Sequence, residues 1–228
     1  MGLAAAPASV RDIVHLIMSS APILRVPVFP LAGALLFPRT RLPLHIFEPR
    51  YRDMVRDAMR GDRLIAMIQP RDSKDPPGLF EIGCLGHIAD CEPLEDGRFN
   101  IELEGLGRFR VTREAEVETS YRQVEVDRTG FADAEDDEPL ALVQRAELEQ
   151  EARRYADALG YGVNWEAVSR LDDEALVNGI AQIAPLDVGS KQALLEADGL
   201  APRADLLVQF MQFQRMAPGG ADGPETMQ

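Results

Sequence analysis

Hydrophobic side chains alternate with polar ones through much of residues 23–128, and after residue 139 they recur every three or four positions. Alternation puts one set of side chains on each face of a strand, whereas the longer spacing gathers them on one face of a helix. One change of period along a chain implies an α+β protein, strands first and helices after. The change falls at Asp133-Ala-Glu-Asp-Asp-Glu138, five acids in six positions, which reads as an exposed connector. The 228 residues allow one large domain or two small ones. The expected divisions are an N-terminal extension over 1–22, a β domain over 23–132, the connector over 133–138, a helical bundle over 139–217 and a disordered tail over 218–228.

Within the first part, Ile23–Phe29 is apolar and contains Pro27, which predicts an edge strand. Leu64–Gln69 has the length of a buried strand. Phe80–Leu85 and Gly86–Glu92 read as two further strands. Glu95-Asp-Gly-Arg98 carries an Asp-Gly turn signal. Phe99, Ile101 and Leu103 alternate with polar residues, and Gly105 and Gly107 predict a turn into Arg108–Thr112. Tyr121–Asp127 alternates again. Strands at this spacing predict a compact barrel or sandwich. One helix interrupts them: Pro49 suits a first helical position, Tyr51, Met54, Val55, Ala58 and Met59 form one stripe, and Gly61 can end it.

In the second part Leu148, Ala152, Tyr155 and Leu159 form one helical stripe. Leu176, Ile180 and Ile183 form another, with Asp172 or Asp173 as cap. Ser190–Glu196 reads as a short helix. Ala201–Met216 reads as a longer one, with Leu206, Phe210 and Phe213 beside Leu207 and Met211.

The net charge of −14 argues against duplex DNA and against an anionic membrane surface, both of which require a basic footprint. The acid is unevenly spread: residues 39–71 carry +4, residues 72–128 carry −7 and residues 129–228 carry −12. Two cysteines, Cys84 and Cys91, make no disulfide framework, so a reducing, cytoplasmic location is expected. The N-terminus lacks a basic signal-peptide region. No apolar run approaches the roughly 20 residues of a membrane-spanning helix. Ala6 breaks the myristoylation pattern, and Met18 offers an alternative start.

The sequence contains no Gly-x4-Gly-Lys-Ser/Thr loop, no Gly-x-Ser-x-Gly elbow and no His-Glu-x-x-His helix. Cys84, His87, Asp90 and Cys91 lie close in sequence. On one extended strand, however, Cys84 and Asp90 would share one face and His87 and Cys91 the other, which argues against a zinc or thiol site. Ser190 and Lys191 are helix neighbours that do not face each other. No catalytic residue, metal or cofactor is expected.

One set of motifs is specific. Val26-Pro-Val-Phe-Pro-Leu-Ala-Gly-Ala-Leu-Leu-Phe-Pro38 is followed by Leu42-Pro-Leu-His-Ile-Phe-Glu-Pro-Arg-Tyr-Arg52. Then come Ala58-Met-Arg-Gly-Asp62, Ile82-Gly-Cys84, Leu103-Glu-Gly-Leu-Gly-Arg-Phe109 and Lys191-Gln-Ala-Leu-Leu-Glu196. This order, over about residues 24–216, resembles the N-terminal, substrate-binding domain of the Lon protease family, above all the bacterial proteins that carry this domain alone. The resemblance implies a PUA-like β-barrel or two-sheet domain with one inserted helix, followed by a helical bundle. It also implies a non-catalytic protein- or peptide-binding function, as an adaptor or holdase in protein quality control. Only a short tail follows the helices, so neither the ATPase nor the protease of Lon is expected. The family's recognition surface maps onto Phe47, Glu48, Arg50, Tyr51, Arg52 and Asp53, inside the +4 stretch. Unfolded or peptide substrates are the implied partners, with a separate protease or chaperone as co-worker and homodimer formation left open. The alternative reading is a PUA-like module for RNA or a small ligand.

Overall fold

The computed structural model describes residues 23–131, 133 and 139–216. The expected extension over 1–22, most of the connector and the tail over 218–228 lie outside the described residues. The chain divides into two compact units, Met1–Asp136 and Asp137–Gln228.

The first unit is a six-stranded sheet with one helix. Its elements are β1 (Ile23–Pro30), β2 (Arg41–Ile46), α1 (Pro49–Arg60), β3 (Leu64–Ile68), β4 (Ile82–Pro93), β5 (Phe99–Ala115) and β6 (Gln123–Asp127). The order is β2-β5-β4-β3-β1-β6, and β5 also pairs with β6. Five strands therefore close a circuit while β2 lies outside it, so the sheet is not a clean barrel. Val26, Val28, Leu64, Ala66, Leu85, Phe109, Val124 and Val126 form its core.

Four sequence expectations change here. β1 is not an edge strand: Ile23–Pro27 pairs with β6 and Val28–Pro30 pairs in parallel with β3. Pro27 precedes the β3 register, so its missing N–H costs no ladder bond on that side. The two expected strands over 80–92 are one strand, β4, whose register shifts between Leu85 and Gly86 and between Ile88 and Asp90. Gly105 and Gly107 sit inside the single long strand β5 rather than at a turn. A Cβ on Gly105 would stand 2.0 Å from the Phe37 carbonyl oxygen. That glycine permits close backbone approach, one of the recurrent roles of a strand glycine. Lastly, Asp133 is not a solvated connector residue. It is 6% exposed, accepts from the Arg108 backbone N–H at 2.6 Å and pairs with the equally buried Arg108 guanidinium at 2.9 Å.

Two devices bring the chain into β2. Gln69 is buried, and its amide donates to the carbonyls of Leu31 and Ala34 and accepts from Gly33 N–H. One side chain thus satisfies three backbone groups of the loop after β1, which cannot be left unpaired inside the protein. Thr40 then closes the turn with its hydroxyl on the Phe37 carbonyl at 2.8 Å. Among the described residues β2 pairs only with β5, so its other edge is unpaired there. Gly105 N–H donates to the Thr40 carbonyl. Antiparallel alternation then turns Leu42 and Leu44 toward β5, and the backbone of Arg41, Pro43 and His45 toward the open edge.

The second unit is helical: α2 (Leu142–Ala158), α3 (Trp165–Val168), α4 (Asp173–Ile183), α5 (Val188–Glu196) and α6 (Leu200–Met216). Asp172 caps α4 and Asp187 caps α5, each accepting the backbone N–H three residues on. α6 packs against α2, α4 and α5. Its buried Arg203 donates to the Leu194 carbonyl at 2.9 Å and to Asn178 Oδ1 at 2.7 Å, joining three helices. The buried face of α6 is Leu200, Arg203, Ala204, Leu207, Val208 and Met211, so Phe213, at 74% exposure, lies outside the expected stripe. Ile183 ends α4 and is also exposed, the buried stripe there being Leu176, Val177 and Ala181.

Candidate functional site

The β2–α1 junction carries the six residues singled out in the sequence. β2 ends at Ile46, which is buried, and strand alternation turns its neighbour Phe47 outward to 60% exposure. Glu48 is the N-cap of α1 with extended backbone and no side-chain capping bond. Its carboxylate instead takes Arg50 at 3.0 Å. Pro49 at the first helical position supplies a fixed φ and needs no N–H partner.

Tyr51 departs from its expected role at a contact surface. It is 7% exposed, in the stripe with Met54, Val55 and Ala58, and its ring meets Phe29 with centroids 4.3 Å apart. Arg50 covers the ring at 4.6 Å, and burial pushes the phenol above its ordinary pKa. Tyr51 therefore supports the junction from within, while Phe47, Glu48, Arg50, Arg52 and Asp53 reach solvent to different degrees.

Two further residues belong to this surface and were not read from the sequence. His45 stacks on Phe47, ring centroids 6.2 Å apart, and receives Arg98 Nη1 at 3.2 Å on its Nε2. Arg98 can only donate, so His45 Nε2 accepts and Nδ1 donates to Asn100 Oδ1 at 2.8 Å. Arg98 also meets Asp96 at 2.6 Å. The signal available for His45 was its place two residues before Phe47, on the same strand face. Arg98 lies 53 positions from His45 and gave no local signal.

On the other side of α1, Asp53 accepts from Arg56 and from Ser120 Oγ, and Asp57 accepts from Tyr121 O–H at 3.0 Å. The helix is thereby tied to the segment before β6. Burial, and then the bond to Asp57, push the Tyr121 pKa up to about 12. The folded value exceeds the ordinary value near 10, so the stabilisation from this phenol is complete below about pH 10 and disappears as pH rises toward 12. Tyr121→Phe is expected to flatten that part of a stability-versus-pH curve measured by urea titration. An unchanged alkaline limb in the variant would contradict this assignment.

The other sequence candidates are dispersed. Cys84 is buried and Asp90 exposed: the register shift between Ile88 and Asp90 leaves Ala89 as an extra residue in β4 and breaks the alternation that would have placed them together. Burial and the neighbouring Asp90 raise the Cys91 thiol pKa, which disfavours the nucleophilic thiolate. Burial, then Arg63, lower the pKa of His87. Among the described residues no group of three or more His, Cys, Asp or Glu could hold a metal ion. Ser190 donates to Asp187 while Lys191 Nζ donates to the Gln182 carbonyl, so the two do not form a dyad. No helix among the described residues is long and apolar enough to cross a membrane.

The family model for the ATP-dependent protease La (LON) substrate-binding domain matches residues 25–212. Lon protease 2 of Sorangium cellulosum is 27% identical over 207 residues, covering 83% of this chain and 24% of that protein. Lon protease 1 of Myxococcus xanthus is 27% identical over 199 residues, again 24% of its length. The chain thus spans about a quarter of the curated relatives it matches. Among solved structures, the N-terminal domain of a Mycobacterium avium complex Lon protease superposes with a TM-score of 0.64 at 18% identity, covering 83% of this chain and 98% of that one. A Lon N-terminal domain protein from Xanthomonas campestris gives 0.63 at 23% identity, covering 82% and 99%. These two likenesses establish the shared fold.

Proposed function

The chain belongs to the LON substrate-binding domain family, and from that premise we propose that it is a non-catalytic module that binds unfolded or peptide segments of other proteins. The PUA-like character of its β unit is part of the same reading. It acts as an adaptor or holdase in protein quality control, in the cytoplasm, handing its cargo to a separate protease or chaperone. The observation that carries this reading is the family match over residues 25–212. The β2–α1 junction is the contact surface we assign to it.

Phe47 there offers an aromatic anchor, and Arg50 and Arg52 stand at its rim, an arrangement suited to a segment with apolar and polar contacts in turn. Binding needs no nucleotide, because the energy comes from burial and hydrogen bonding alone. Immobilised protein is expected to retain a reduced, unfolded client saturably and equally with or without ATP. Arg50→Glu with Arg52→Glu is expected to weaken retention by about tenfold, through reversal of two rim charges. Failure of the wild-type protein to retain any of several unfolded clients would sink the reading. Steep, salt-sensitive RNA binding in its place would favour the alternative module.

A further inference from the structure

The contact surface proposed above has a chemical preference that follows from how its charges are spent. Three ion pairs neutralise the flanks of α1: Arg50 with Glu48, Arg56 with Asp53 and Arg60 with Asp57. Arg52 makes no ion pair among the described residues, and its Nε is buried without a hydrogen-bond partner there. Its guanidinium stands beside Gly97 in the β4–β5 turn, where a Cβ would lie 2.4 Å from Nη2. Its charge helps hold the Asp96 carboxyl below the ordinary range, after the larger effects of the Arg98 backbone and side chain.

Phe47 and Arg52 are also neighbours by helix geometry. Phe47 precedes the N-cap Glu48, and Arg52 is the fourth helical residue. These two positions normally hold a pair of apolar side chains that close on each other at a helix start. Here the second is Arg, and Phe47 is 60% exposed. The turn that holds Arg52 also supplies Arg98, which contacts the His45 ring stacked on Phe47. An exposed aromatic face thus lies one helical turn from a guanidinium that forms no ion pair among the described residues.

We infer that Phe47 and Arg52 together read peptide segments in which an aromatic or large aliphatic side chain lies next to an Asp or Glu side chain. The apolar side chain packs on Phe47 and the carboxylate takes the terminal Nη–H groups of Arg52, a charge-assisted contact that a neutral amide reproduces poorly. The inference rests on the function proposed above and adds the class of segment bound.

Short fluorescent peptides, acetylated and amidated at their ends, test it by anisotropy with the full chain. A Gly/Ser peptide carrying Phe-Asp is expected to bind about fivefold more tightly than its Phe-Asn counterpart, and Ala-Asp about tenfold more weakly than Phe-Asp. Arg52→Met is expected to erase the Asp-over-Asn preference with its melting temperature unchanged, while Arg50→Met keeps the preference. Equal binding of the Asp and Asn peptides by the wild type, or survival of the preference in Arg52→Met, overturns the inference. So does a Phe-Asn peptide that binds like Phe-Asp only when its chain-end carboxylate is left free, since the terminus would then be the group read. Retention of unfolded protein without any carboxylate preference overturns this reader alone. Absence of all retention overturns the function it starts from and the reader with it.

Discussion

Asp133→Ala is expected to destabilise the first unit by about 3–5 kcal/mol, the cost of leaving a buried arginine without its counter-charge. Both side chains of the Arg108–Asp133 pair are 4% exposed. The carboxylate takes Arg108 three ways: from its backbone N–H, its Nε and its Nη2. The Phe131 ring covers the guanidinium at 4.9 Å, which shields it further from water. The melting temperature is expected to fall by on the order of 10–20 °C in calorimetry. Glu81→Ala is the comparison: it breaks the exposed Arg110–Glu81 pair, 51% and 71% open, and is expected to cost about 1 kcal/mol or less. If the two variants melt together, the buried pair has no special weight.

Gly105→Ala is the second large effect. The added Cβ would meet the Phe37 carbonyl oxygen at 2.0 Å and its carbon at 2.9 Å, and both are backbone atoms that cannot swing aside. The loop after β1 or the strand β5 must move. Phe37 and Leu36 are fully buried, so the movement opens the core as well as the turn. A cost of about 3 kcal/mol or more is expected, at the upper end of overpacking effects. Because this loop delivers the chain into β2, retention of unfolded clients is expected to fall along with stability. Gly179→Ala, at a helical position with open space around it, is expected to be neutral or stabilising. A Gly105→Ala protein that melts within about 2 °C of the wild type would show that the contact is easily relieved.

These two positions also mark where reading the sequence stops. α1 was legible because its burial follows its own periodicity, and the helix ends at Gly61 as expected. β2 was not assigned from the sequence, although Leu42, Leu44 and Ile46 alternate; Pro43 stands in its middle, which only a strand with an unpaired edge tolerates. Gly105 looked like a turn because a local pattern cannot distinguish a bend from a close approach by residues 68 positions away. Asp133 looked solvated because its partner, Arg108, lies 25 residues back. At the candidate site the helical period put Arg52 outside the apolar stripe, the family resemblance alone pointed to Phe47, and Tyr51 turned inward with the stripe it belongs to. His45 and Arg98 meet only through the β2–β5 register, which pairs His45 with Asn100. Tertiary pairing supplied that information, and no window of sequence contains it.

Pro43 has a consequence for the safety of such a molecule. A protein that meets unfolded chains presents them with whatever strand edge it leaves open, and an open edge can recruit one extended segment after another into a growing sheet. β2 is short, six residues, and Pro43 removes the middle N–H from its outward row. Arg41 adds a charge at its start. The strand cannot offer an unbroken row of donors to a visiting chain. On the function proposed above, clients held beside it at Phe47 are expected to be released again rather than seeded into fibrils on the surface that caught them.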